Sequence, residues 1–204
     1  MAFLRNRITG ELEEAELVSP IADTDLACFH DEWRPIFDAR IARIQEEGEL
    51  TYAALVEHNC EDAHWQWAAK RAQWAGQLEW QTYALRAAGR TQAMMAVNLL
   101  HTARLPAHAG QHLAYVSWLA IAPWNRPRLS DAPQYSGCGS VLITEAVLVS
   151  QDNDWQGRVG LHSLPGAQPF YERFGFALVE LDELAQGLPY LELTATAAHA
   201  FLNP

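Results

Sequence analysis

The sequence predicts an α/β fold, a mixed sandwich of helices and strands around one main core. Three observations carry this. The chain has 204 residues, 50% of them hydrophobic and 19% charged, which suits a globular protein with one well-filled core. The apolar spacing changes near residue 80, from steps of three and four to extended runs, so helices precede strands. A Gly-containing loop over residues 134–140 then joins an extended apolar run to a helical one.

In chain order, an initial strand is expected somewhere in residues 3–19. Residues 31–47 place Trp33, Ile36, Phe37, Ile41 and Ile44 on one helical face, and Gly48 is a stop signal. A second helix is expected over 61–75, with Asn59, Glu61 and Asp62 as cap and N-terminal acids and Gly76 at its end. Residues 82–87 and 92–100 read as strands around Ala88-Gly89-Arg90, a hairpin signal. A strand over 113–122, the loop and a helix over 140–150 follow. A strand over 157–163, a short helix over 170–174 and strands over 177–181 and 190–194 close the pattern. No internal repeat or low-complexity linker interrupts it, so a single domain over 1–204 is expected, divided near residue 80 into a helical portion and a strand-rich core.

Charge is uneven. Residues 1–66 hold 15 acids and 5 Lys/Arg, a balance of −10, and the remainder holds 10 acids and 9 Lys/Arg, a balance of −1. Such acidity argues against non-specific nucleic-acid binding, which neutralises phosphates. It suits either steering of a cationic partner or plain solubility. Residues 1–14 lack an apolar run fit for a signal peptide, and no stretch nears the length of a membrane span. Cys28, Cys60 and Cys138 are odd in number, so a reduced, cytoplasmic chain with no membrane association is the expectation. His58, Cys60, Glu61, Asp62 and His64 are rich in ligand types but lack a metal-site spacing, so no metal is expected.

The loop carries the chemistry. Backbone N–H groups between a strand and a helix can wrap an anion, and the helix dipole adds positive potential. Two glycines two apart, Gly137 and Gly139, let the main chain approach a phosphate. A P-loop needs a Gly-Lys-Ser/Thr ending, and the one lysine, Lys70, lies far away. A dinucleotide fingerprint needs a third glycine and an early βαβ unit.

Gln134-Tyr135-Ser136-Gly137-Cys138-Gly139 resembles the acetyl-CoA pyrophosphate loop of the GNAT superfamily of N-acetyltransferases. A second segment, Ala167-Gln168-Pro169-Phe170-Tyr171-Glu172-Arg173-Phe174-Gly175-Phe176, is similar to that family's Ala-x-x-x-Tyr-Glu-x-x-Gly-Phe element. Together they span roughly residues 113–193. The resemblance implies a mixed, mostly antiparallel sheet flanked by helices, with an acceptor-side portion over 1–80 and an acetyl-CoA-binding core over 81–204. It implies transfer of an acetyl group from acetyl-CoA to a small-molecule or peptide amine by direct attack in a ternary complex.

The same resemblance assigns residues. The edge of the strand at Leu119, Ala120 and Ile121 would pair with the pantetheine arm, and an N–H there could polarise the thioester carbonyl. Gln134, Tyr135, Ser136, Gly137, Cys138, Gly139 and Ser140 would hold the pyrophosphate, with Cys138 a small filler. Tyr171 matches the tyrosine that protonates the departing thiolate, or is a packed aromatic between Phe170 and Phe174. His162 is the best side-chain candidate for the base, or a satisfied structural histidine. Ser117 and Asp131 are weaker candidates.

Two departures stand out. Leu164, followed by Pro165, occupies the position where the family often has Asn. Ten residues, 124–133, separate Pro123 from the loop. They form either a substrate-reading lip carrying Trp124, Asn125, Arg126, Arg128 and Asp131, or a neutral surface loop. Trp65, Trp67, Trp74 and Trp80 are either an aromatic wall for the acceptor or core. Rival readings are a catalytically silent CoA-binding regulatory module and an acyltransferase directed at nucleic acid. The sequence leaves oligomeric state open, a homodimer included.

Overall fold

The computed structural model describes residues 2–203. Nine strands hydrogen-bond in the order β6-β1-β2-β3-β4-β5-β7-β9-β8. They are β1 (Ala2–Asn6), β2 (Leu12–Val18), β3 (Trp80–Ala87), β4 (Arg90–Asn98), β5 (Ala114–Ile121), β6 (Tyr135–Ser136), β7 (Val159–His162), β8 (Ala177–Asp182) and β9 (Leu188–Leu193). The β1–β2, β1–β6, β2–β3, β7–β9 and β8–β9 ladders are antiparallel, and β5–β7 is parallel. The α/β class and the mostly antiparallel sheet expected from the sequence are therefore present.

The N-terminal segment holds two strands where one was expected. Asn6 makes the turn between them, its Oδ1 accepting from Ile8 N–H at 2.8 Å and Thr9 N–H at 3.2 Å. Only Leu4 and Ala15 are buried in this hairpin, so its alternation is faint in the sequence.

The first helix starts earlier than its apolar stripe suggests. α1 (Asp23–Cys28) runs through a π turn, Phe29–Trp33, into α2 (Arg34–Glu47). Asp25 Oδ2 caps the Ala22 N–H at 2.9 Å. Phe29, Trp33 and Phe37, four apart, are all buried across the π turn.

The helix expected over 61–75 is replaced by α3 (Tyr52–Glu57), turns through 60–66, and α4 (Trp67–Trp74). Asn59 is left-handed at φ 57°, and Glu61 and Asp62 are buried, so they cannot serve as solvent-facing acids of a first helical turn. Trp65, Trp67 and Trp74 are buried, which is core packing. Later come α5 (Cys138–Asp152), α6 (Gln168–Arg173) and the unforeseen α7 (Ala195–Leu202).

The chain divides into two compact units. The first comprises residues up to 77, 82–95 and 119–142, and the second 78–81, 96–118 and 143 onward. The expected division near residue 80 matches neither, because β3, β4, β5 and α5 each pass through both. Trp33, Phe37, Leu85, Met94 and Tyr135 are core residues of the first unit, and Leu113, Ile143, Val159, Tyr190 and Leu191 of the second. Gly160 is required by packing, since a Cβ there would lie 2.7 Å from Tyr190 Oη and 3.0 Å from Leu113 Cδ2. Among the described residues no helix is long and apolar enough to cross a membrane.

Candidate active site

In the first unit the loop is braced from behind. β6 pairs with β1, Ser136 opposite Arg5 and Tyr135 opposite Asn6, and Arg7 N–H donates to Gln134 O at 2.8 Å. Tyr135 Oη donates to Glu13 at 2.5 Å, and Asn6 Nδ2 donates to the same carboxylate at 2.6 Å. Those two hydrogen bonds hold the Glu13 carboxyl below its ordinary range, while burial pushes the Tyr135 phenol up to about 12. The pairing sets the Arg5 and Arg7 main chain beside the loop, while the Arg5 guanidinium donates to Gly10 O at 2.9 Å.

Two of the amides assigned to the pyrophosphate are turned inward. Gln134 N–H donates to Trp124 O at 3.2 Å, and Tyr135 N–H to Asn125 Oδ1 at 2.9 Å. The donors that remain lie at the start of α5. Its first i→i−4 bond runs from Val141 N–H to Gly137 O at 3.0 Å, so the Cys138, Gly139 and Ser140 amides have no acceptor within the helix. Gly137 sits at φ 98°, where a side chain is strained although only Leu4 Cδ2 would meet its Cβ, at 3.8 Å. Burial pushes the Cys138 thiol up to about 12, which disfavours the thiolate.

Three of the five residues given to an acceptor-reading lip point into the protein instead. Trp124 Nε1 donates to Gln92 Oε1 at 2.8 Å, with Trp33 edge-on at 6.0 Å and the Arg90 guanidinium 3.7 Å over its ring. Asn125 Nδ2 donates to the same Gln92 oxygen at 2.9 Å. Arg126 grips Asp62 through two bonds of 2.7 and 2.6 Å, and also donates to Ile121 O at 2.8 Å and Asn59 O at 3.0 Å. Buried polar groups need such partners, and these three find them in the fold. Arg128 donates to Glu57 O at 3.2 Å and is exposed, as is Asp131. Within the ligand-rich run 58–64, Asp62 serves an arginine. Among the described residues no cluster of three or more His, Cys, Asp or Glu is arranged for a metal ion.

An open cleft of about 800 Å³ in the same unit is lined by Glu14, Glu16, Asp25, Asp31, Glu32 and the β3–β4 turn. Arg86 answers Asp25 at 2.7 Å and Arg90 answers Glu32 at 2.5 Å.

In the second unit the β5–β7 ladder covers Ala114–Val159, Tyr115–Gly160 and Val116–Leu161. β5 itself runs on to Ile121, and its Leu119, Ala120 and Ile121, assigned to the pantetheine, belong to the first unit. Tyr171 is buried on α6, its ring 5.1 Å from Phe170 and 5.5 Å from Phe176.

His162 has both ring nitrogens engaged. Nδ1 lies 2.5 Å from Tyr115 Oη and Nε2 lies 3.0 Å from Asp182 Oδ2. Arg104 Nη1 holds that carboxylate at 2.6 Å and Glu180 at 2.8 Å, and stands 4.1 Å over the Tyr190 ring. Burial lowers His162 below its ordinary range, against the opposing effect of Asp182. Burial raises the Tyr115 phenol to about 12, and the Arg104 hydrogen bond brings Asp182 down to about 2. His162, the side-chain candidate for the base, thus has both ring nitrogens engaged by protein groups. Tyr115, missed in the sequence, was signalled only by its place two residues before Ser117.

Solved structures share this architecture. The PaiA N-acetyltransferase from Thermoplasma acidophilum, solved in complex with coenzyme A, matches at a TM-score of 0.55 and 12% identity over 88% of this chain and 98% of that one. The fold is that of the GNAT N-acetyltransferases. A GNAT-family protein from Desulfovibrio desulfuricans matches at a TM-score of 0.52 and 14% identity over 89% of this chain and 99% of its own. No protein-family model and no curated protein matches the sequence.

Proposed function

We propose that this GNAT-fold protein is an N-acyltransferase that moves an acetyl group from acetyl-CoA to an amine. The observation that carries the reading is the strand–loop–helix join. Three amides at the start of α5 lack helical acceptors, behind a Gly137 that tolerates no side chain without strain. These residues fit a diphosphate. The amides of Gly137, Cys138, Gly139 and Ser140 supply donors, and the dipole of a 15-residue helix adds positive potential. Gln134, Tyr135 and Ser136 set the loop's shape. The backbone of Leu119, Ala120 and Ile121 receives the pantetheine, Tyr171 protonates the leaving thiolate, and catalysis rests mainly on positioning. The structural relative solved with coenzyme A supports the same assignment of ligand. With Trp124, Asn125 and Arg126 committed to packing, only Arg128 and Asp131 of the insertion remain to meet the acceptor.

Calorimetry with acetyl-CoA tests the loop. The wild-type protein binds, and Gly137→Glu, which sets a negative side chain on a strained backbone at the diphosphate, loses at least tenfold in affinity with its melting temperature followed in parallel. Equal affinity in both proteins removes the diphosphate from this loop. Transfer to a panel of primary amines separates an enzyme from a silent CoA-binding module.

A further inference from the structure

We propose that Tyr115, His162 and Asp182 form a proton relay in which the Tyr115 hydroxyl, not the imidazole, meets the proton of the acceptor amine. The inference rests on the acyltransferase reading for the identity of the acceptor. Its geometry is independent of that reading.

The hydrogen bonds fix the direction of the relay. Asp182 is ionised and only accepts, so His162 carries its proton on Nε2. Nδ1 then holds a lone pair and accepts from Tyr115 Oη–H at 2.5 Å. The phenol oxygen also accepts from the His162 main-chain N–H and keeps its second lone pair for an incoming N–H. Tyr115 and His162 share one face, because Tyr115 registers with Gly160 and His162 follows two residues later. His162 is the last residue of β7, one step past the Val116–Leu161 pair where the ladder ends. Both side chains are only partly covered, unlike the alternate residues Ala114, Val116, Val159 and Leu161. Gly160 leaves room for the Tyr190 ring, which stands 5.0 Å from His162 and closes its other side.

The step balances. The amine nitrogen bonds to the thioester carbon as its proton passes to Tyr115 Oη and the phenolic proton passes to His162 Nδ1. The C–S bond breaks, the thiolate takes its proton from Tyr171, and the Tyr171 phenolate regains one from solvent. His162 becomes an imidazolium held by the Asp182 carboxylate, and later returns the proton to solvent. Tyr115 never has to exist as a free phenolate, so its raised pKa is no obstacle. Neutral His162 is the form held by burial at neutral pH. The groups around it are Tyr115 on β5, Asp182 and Glu180 on β8, Tyr190 on β9, and His101 and Arg104 before β5.

The test is a double-mutant cycle on acetyl-CoA turnover with the best substrate of a primary-amine panel. Tyr115→Phe keeps the ring stacked 3.9 Å from His101 and deletes the hydroxyl. His162→Gln keeps a polar group and deletes the base. Each is expected to lower kcat about 10²-fold, the lower end of acid–base contributions, with acetyl-CoA affinity unchanged. Groups acting as a unit are not additive, so the double variant should be no slower than the worse single one. The acid limb of the kcat profile should vanish in His162→Gln. Multiplying losses, or a loss under threefold in Tyr115→Phe, overturns the relay while leaving the acyltransferase standing. A wild-type protein that binds acetyl-CoA yet acylates no amine overturns the acyltransferase reading and the relay with it.

Discussion

Asp62 and Arg126 illustrate how a charged residue changes meaning once its surroundings are known. In the sequence Asp62 reads as a helix-capping acid and Arg126 as part of a recognition lip. In the structure their side chains are 6% and 13% exposed and joined by two hydrogen bonds, with the guanidinium also serving two main-chain carbonyls. Sequence spacing cannot reveal a pair 64 residues apart. Breaking one partner of a buried pair strands the other charge, at a cost of about 3–5 kcal/mol. Arg126→Met should therefore lower the urea midpoint strongly, and Asp62→Asn less, since an amide can still accept. A shift below about 1 kcal/mol in Arg126→Met would show that water reaches the pair and screens it.

At the scale of elements, β3, β4, β5, β7, β8 and β9 and the α5 and α6 helices were legible because each has a strong period or a turn signal at its end, whereas β6, two residues within the expected loop, was not. The β1–β2 hairpin was not, since it buries little and is held by Asn6 and by its ladder to the loop. That hidden strand shapes the candidate site, because it braces the loop from a segment more than a hundred residues away. Asn125 braces it from the other side, donating to Gln92 and accepting from the Tyr135 amide. Asn125→Ala leaves a buried N–H without its acceptor, at about 1–3 kcal/mol. The expected outcome is a lower melting temperature together with weaker acetyl-CoA binding, even though Asn125 is assigned no contact with the ligand. Lower stability with unchanged affinity would mean that β1 alone sets the loop's shape.

For the whole molecule, the shifted groups define a pH window of stability whose signs can be worked out. His162 titrates below its ordinary 6.5 when folded, so on acidification the unfolded chain takes up that proton first and stability falls from about pH 6.5 downward. Asp182 is held at about 2 against an ordinary 3.8, and Asp25 and Glu13 are also lowered, so a second loss sets in as pH drops through about 4. Glu145 opposes this weakly, since burial raises it and favours the fold where it is protonated. On the alkaline side burial raises Cys60 to about 11 and Cys138, Tyr115 and Tyr135 to about 12. The unfolded chain releases those protons first, from ordinary values of 9.0 and 10.0, and stability falls again above about pH 9. Cys28, Tyr52 and Tyr190 are raised by burial as well, so Lys70, lowered to about 8 and working the other way, is one group against seven. Urea midpoints measured from pH 3 to 11 should thus trace a plateau between about 6.5 and 9 with two steps on its acid side. His162→Gln should shrink the step nearest neutrality and leave the one near pH 4, with the remainder of the upper step due to His101, also lowered by burial. An upper acid step of undiminished size in that variant would assign it to His101 alone, the next residue to replace.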